Sequence, residues 1–347
     1  MRSGSARLLT VGLALCLSAT AVAAEPRVFD ATVMATRVTL SFAGDGGAAA
    51  DAEAVFAVFR RVEAVANEWR PASPLAVLNT QAGAGPVPVP AELCALLARS
   101  KALAAQTGGA FDPTWAALWG LWDFVAPSPV VPSATAIAER VARIDHLALS
   151  VDCESNTAAL ARPGMLVGLG GIAKGWALDS AASELAARGV TDWVLSAGGQ
   201  VLSDGHNADG APWTVGIRDP RGAPDDAFAL VQVTGSVSTS GDYERFFVRD
   251  GVRYHHLLDP RTGRPARGLR SVTVIAPDAV TADALSTALM IMGYEAGSAL
   301  LAELPGVQAV WVDARGGVTR TRGLDGHFQL VHAPSSPTVS ATPAATP

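Results

Sequence analysis

The chain has 347 residues, 49% hydrophobic and 17% charged, which is enough apolar surface for one large domain or two lobes with a real core and excludes a disordered chain. Its 26 Lys and Arg face 32 Asp and Glu, a net charge of −6 that excludes a surface built for non-specific nucleic-acid binding. No Cys/His spacing of a zinc site occurs, and no fixed-period repeat is visible.

Residues 1–24 read as a secretory signal. Arg2 and Arg7 precede the apolar run Leu8–Leu17, and Ala21-Val22-Ala23-Ala24 offers small residues for cleavage before Glu25. The run is too short to span a bilayer. The bulky Leu15 before Cys16 argues against a lipid anchor there. The expectation is a protein exported to the periplasm, in which loss of Arg2 and Arg7 takes the net charge from −6 to −8. Cys94 and Cys153 then remain, and they fit either one disulfide or two buried thiols. The chain has 24 arginines but only two lysines, Lys101 and Lys174. Where arginine serves nearly every generic positive charge, a retained lysine points to a need for a compact cation.

The alternation in Ala31–Phe42 predicts a strand, and helical spacing predicts helices at Ala48–Asn67 and Ala91–Thr107, the second ended by Gly108-Gly109. Ser133–Val141 reads as a third helix, opened by a Ser cap. Met165–Leu169 reads as a short strand that Gly170-Gly171 turns into a helix over Ile172–Arg188. Strands are expected at Trp193–Ser196, Trp213–Arg218, Phe228–Val233, Phe246–Arg249 and Leu269–Ile275. Ala282–Met292 is a helix and Ala296–Glu303 begins another. Helices beside mostly antiparallel, hairpin-linked strands give an α+β fold over residues 25–332. The Pro/Ser/Thr/Ala-rich stretch Ala333–Pro347 reads as a disordered tail.

Several segments carry chemistry. Gly168-Leu-Gly-Gly-Ile-Ala-Lys174-Gly175 lies between a strand and a helix. Its glycines let backbone N–H groups approach an anion that Lys174 can reach, although a plain βα turn explains it equally well. Asp283 and Thr287 stand four apart on one helical face, a hard-oxygen pair suited to Mg²⁺, or else a dipole-favoured acid and a surface hydroxyl. His255 and His256 are adjacent, so on a strand one faces the core and the other a functional side, where a histidine can accept a hydroxyl proton. Thr107-Gly-Gly-Ala-Phe111-Asp112 and Glu68-Trp69 each pair an aromatic with an acid. A stacked ring with a polar contact is one reading, and a turn with an incidental aromatic is the other.

The order of these motifs sharpens them. Met34-Ala35-Thr36, Ser73…Leu78-Asn79, Gly109-Ala-Phe-Asp112, Leu169-Gly-Gly-Ile-Ala-Lys-Gly175, Ala197-Gly-Gly199, Thr239…Arg245, His256…Asp-Pro-Arg-Thr-Gly263 and Ala282-Asp283…Thr287 follow one another. Over about residues 31–312 the chain resembles the ApbE family of FAD:protein FMN transferases. The resemblance implies a T-fold-related unit of two lobes. It implies FAD as substrate with Mg²⁺, and FMN transfer by a phosphoester bond to a Thr or Ser of a partner, with release of AMP. By motif, Met34, Trp69, Ala110, Phe111, Asp112, Lys174 and Leu257 would contact FAD. Asp283, Thr287 and a glycine-loop carbonyl, Gly171 or otherwise Ala173, would hold Mg²⁺, and His256 would be catalytic. For an exported member, the implied partners are acceptor flavoprotein domains of membrane redox complexes. An FAD pyrophosphatase using water as acceptor, and a non-catalytic flavin-binding protein, are the alternatives. Three departures from the family pattern stand out: Ala35 for the usual Gly, Trp69 for a frequent Tyr, and Gly168 for the usual Asp.

Overall fold

The computed structural model describes residues 26–44 and 46–336, so the predicted signal at 1–24 and most of the predicted tail lie outside the described residues. Eight strands form the central sheet, in the order Arg27–Val33, Thr36–Phe42, Trp193–Ala197, Gln200–Asp204, Gly235–Gly241, Leu269–Ala276, Gln308–Asp313 and Val318–Arg320. Every neighbouring pair is antiparallel. Spatial order follows chain order, so each long insertion leaves the sheet and returns beside the strand it left.

The insertions supply the helices α1 (Ala49–Ala66), α2 (Pro74–Thr80), α3 (Ala91–Gln106), α4 (Ala134–Val141), α5 (Ala173–Ala187) and α6 (Ala279–Ala302). Period-two alternation divides the sheet into two faces. Ala309 and Trp311 pack with Val272, Val274 and the α6 residues Leu285 and Leu289. Val310 and Val312 point the other way, onto Ile217, Phe228 and Val231 of a three-stranded sheet (Trp213–Arg218, Ala227–Val233, Phe328–Leu330). A larger core lies where α1, α3 and α5 cover Val38, Leu40 and Leu195. Phe59 and Leu97 there are fully buried, and each such side chain contributes about 1.5–3 kcal/mol. The architecture is α+β.

Differences from the predicted elements have local causes. The single strand expected over Ala31–Phe42 is a hairpin, because Met34 (φ 53°) and Ala35 (φ 54°) form a two-residue turn with both residues left-handed. Met165–Leu169 is not a strand. It keeps only a single parallel bridge, Leu166 to Trp115, while Val167 donates its N–H to Asn79 Oδ1 (2.7 Å) and accepts from Asn79 Nδ2 (2.9 Å), so a side-chain amide takes the place of a second strand. The two helices expected at the C-terminal end are one element broken at Gly293 (φ 78°), and Asp278 caps its start by accepting from Thr281 N–H at 2.7 Å. α6 has the length and apolarity of a membrane span, but it is packed between the sheet and α5 as a core helix.

Cys94 and Cys153 form a disulfide that ties α3 to the hairpin Leu149–Asp152/Thr157–Leu160. Contacts also run into the start of the predicted tail: Ser335 N–H donates to Asp219 (2.8 Å) and Ser335 O accepts from Arg270 (2.7 Å).

Candidate active site

A cavity of about 500 Å³ opens between the Met34-Ala35 turn, the Trp69 loop, the start of α5 and the segment following the strand Val252–His255. The size is that of a small-molecule site. Met34, Trp69, Lys174 and His256 all line it, so four of the predicted site residues meet although they are far apart in the chain.

The adjacent histidines separate as strand geometry requires. His255 is buried, and its Nε2 donates to Ala266 O at 2.8 Å. His256 follows the strand end, where its N–H donates to Arg245 O at 3.0 Å, and its ring faces the cavity. His256 Nδ1 is buried without a partner, which leaves Nε2 as the nitrogen open to a ligand. Burial first, then the nearby charge of Arg245, lower its pKa from 6.5 to about 4. The imidazole is therefore neutral near pH 7 and able to accept a proton.

The glycine turn brings the loop and two helices together. Lys174 Nζ donates to Gly170 O at 3.2 Å, which holds the ammonium at the turn. Gly175 permits a close approach of α5 to α6, since a Cβ there would lie 2.4 Å from Ala279 O. At that crossing Gly175 N–H donates to Asp283 Oδ2 at 3.1 Å. A Cβ placed on Gly171 would be 3.6 Å from Thr287 Oγ1, so Gly171, Asp283 and Thr287 form one group. Asp283 is 6% exposed, and among the described residues no cation pairs with it and nothing donates to its Oδ1. A buried carboxylate without a cation, beside a hydroxyl and a loop backbone, is a donor set that fits Mg²⁺.

Other predicted contacts lie elsewhere. The Asp112 carboxylate is fully engaged: Oδ1 accepts from Thr114 N–H (2.8 Å) and Oγ1 (2.6 Å), and Oδ2 accepts from His146 N–H (3.1 Å) and pairs with Nδ1 (2.9 Å). Its role here is to join its own loop to the His146 turn. Ala110 and Phe111 are core residues, although the Phe111 ring lies 3.6 Å from a Cβ placed on Gly171. Leu257 is buried in the α6 core, and its neighbour Leu258 reaches the cavity.

Two lining residues were not among the predicted contacts. Arg245, which ends the Thr239…Arg245 motif, adds a second cation to the cavity, and Trp119 stacks on Trp69 with ring centroids 4.5 Å apart. For Trp119 the available signal was the crowding of Trp115, Trp119 and Trp122 within eight residues.

The model of the ApbE family matches residues 34–311, which contain every one of these groups. An FAD:protein FMN transferase of Treponema pallidum is 41% identical over 300 residues, covering 80% of this chain and 83% of its own. The crystal structure of the ApbE protein from Thermotoga maritima superposes with a TM-score of 0.79 at 34% identity, covering 87% of this chain and 99% of that one. The flavinyl transferase ApbE of Pseudomonas stutzeri gives a TM-score of 0.76 at 34% identity over 87% of this chain and 96% of its own. With relatives matching across the whole of the site, the class is that of the flavin transferases. The chain belongs to the ApbE family.

Proposed function

We propose that this protein is an exported, Mg²⁺-dependent FAD:protein FMN transferase. The observation that carries the reading is the convergence on one glycine turn of Lys174, the open Nε2 of His256, the buried carboxylate of Asp283 and the half-buried hydroxyl of Thr287. The relatives' names supply the substrate.

Mg²⁺, held by Asp283, Thr287 and the Gly171 carbonyl, would neutralise charge on the FAD diphosphate and on the departing AMP. Lys174 and the loop amides hold the diphosphate oxygens, with Arg245 adding positive charge to the cavity. His256 Nε2 takes the proton of a Thr or Ser hydroxyl as that oxygen attacks the FMN phosphorus. A new O–P bond forms, the bond between the FMN phosphorus and the bridging oxygen breaks, and AMP leaves with that oxygen. Positioning and charge do most of the work in phosphoryl transfer, which accounts for a site with many glycines and one proton acceptor.

Export is supported by the N-terminal signal pattern and by the Cys94–Cys153 disulfide, which suits an oxidising compartment. It points to periplasm-facing flavoprotein domains of membrane redox complexes as acceptors.

The test is incubation with FAD, Mg²⁺ and a candidate acceptor domain, followed by intact mass spectrometry. An FMN-sized covalent increment on the acceptor is the expected result. FMN and AMP formed without acceptor would identify a pyrophosphatase instead, and FAD bound but left intact would identify a carrier.

A further inference from the structure

Gly168 precedes the glycine turn and lies against two indoles. A Cβ added there would be 2.8 Å from Cζ2 of Trp119, 3.0 Å from Cβ of Ala116 and 3.3 Å from Nε1 of Trp115. The backbone cannot retreat, because Gly168 N–H donates to Pro113 O at 2.9 Å and Gly168 O accepts from Trp115 Nε1 at 3.0 Å. Any side chain at 168 therefore displaces the Trp119 ring.

Trp119 lines the cavity, and its ring is tilted by 31° on that of Trp69. Trp69 is 71% exposed, so burial in the core does not explain a residue of its size. Trp115 meets Trp119 edge-on, with centroids 6.0 Å apart, and buttresses it from the Gly168 side.

We propose that Trp119 is a specificity-determining residue. Positioned by the absence of a side chain at Gly168, it forms with Trp69 a two-indole platform for a flat heteroaromatic ring of the dinucleotide. The inference rests on the reading of FAD as substrate.

The test uses the full chain without acceptor. Calorimetry gives the Kd for FAD, with FMN and ADP run separately to show which ring uses the platform. Far-UV circular dichroism reports the indole pair. The wild-type spectrum should contain an exciton couplet that both Trp69→Ala and Trp119→Ala abolish. Trp119→Ala should weaken FAD binding about tenfold, within the range for stacking on an aromatic side chain. Gly168→Ala should lose the couplet, bind FAD more weakly and melt at a lower temperature. Adding Trp119→Val to it should restore the melting temperature but not the affinity. An unchanged Kd in Trp119→Ala, or an intact couplet and Kd in Gly168→Ala, would overturn the proposal. Wild-type protein that binds FAD in this pattern yet transfers nothing refutes the transferase reading alone. Normal transfer with Trp119→Ala indistinguishable from wild type refutes this inference alone.

Discussion

Asp179 of α5 accepts the backbone N–H groups of Ala279 (2.8 Å) and Val280 (2.9 Å), so a carboxylate from one helix closes the first turn of another. The two helices so joined carry Lys174 and Asp283. Burial pushes the Asp179 carboxyl from 3.8 up to about 6, although both amides favour its charged form. The folded chain thus holds a proton that the unfolded chain releases near pH 4. Stability from this group is greatest below that pH and declines as pH rises toward 6. Across the window the loss is roughly 1–3 kcal/mol. Denaturant unfolding of wild type and Asp179→Asn from pH 4 to 7 should show wild type losing ground to the variant as pH rises. A pH-independent difference would contradict the assignment.

For His256, the pH profile of kcat/KM reports the free enzyme. The acid limb should fall near pH 4, well below the ordinary histidine value of 6.5. Arg245→Gln removes a neighbouring positive charge, so the imidazole should protonate more easily and the limb should move upward. His256→Ala should keep FAD affinity within a few-fold while transfer drops by about 100-fold or more. Full activity in that variant, or a wild-type limb at 6.5, would count against the role.

Metal dependence should reside in the buried acid. Mg²⁺ should raise the melting temperature of wild type by binding the folded state, and Asp283→Asn should abolish that shift. Half-maximal transfer in the variant should need about tenfold more Mg²⁺. Chelation should silence wild type reversibly.

Ala35 holds φ 54°, a conformation costing a residue with a Cβ about 1–2 kcal/mol. Glycine removes that strain at a cost of roughly 0.5–1 kcal/mol in unfolded-chain entropy. Ala35→Gly should therefore stabilise by up to about 1 kcal/mol, read as a higher melting temperature. A lower one would show that the alanine methyl packs usefully at the cavity rim.

Cys94 and Cys153 close a loop of 59 residues. Cys153→Ser should reduce unfolding free energy by about 2–4 kcal/mol. Neither cysteine lines the cavity, so the Kd for FAD should stay within twofold.

Much of the fold was legible because its helices announce their ends. Ser133 caps α4, Gly108 and Gly109 follow α3, and Gly189 follows α5. What was missed was unmarked or short. The Met34-Ala35 turn has neither Asn nor Gly, and α2 has a Ser73 cap and Pro74 at its start but is only seven residues long. The strand Gly235–Gly241 is rich in Gly and Ser, and it is buried because Ser238 and Ser240 face Ser286 of α6 rather than an apolar surface. At the site, motif order located the Lys174, His256 and Asp283 segments. The engagement of Asp112 by His146 and of Trp119 by Gly168 depends on pairings 34 and 49 residues apart, which no local pattern carries.

The cavity has no single owner in the chain. Met34 comes from the first hairpin, Trp69 follows α1, Lys174 opens α5 and His256 arrives more than two hundred residues after Met34. Such non-local closure is slow relative to helix formation. A chain emerging N-terminus first can build α1 and α3 early, but the proposed diphosphate site is incomplete until Thr287 has appeared. On the proposed function flavin would bind only the completed fold, so occupancy of the site would also measure whether folding has finished.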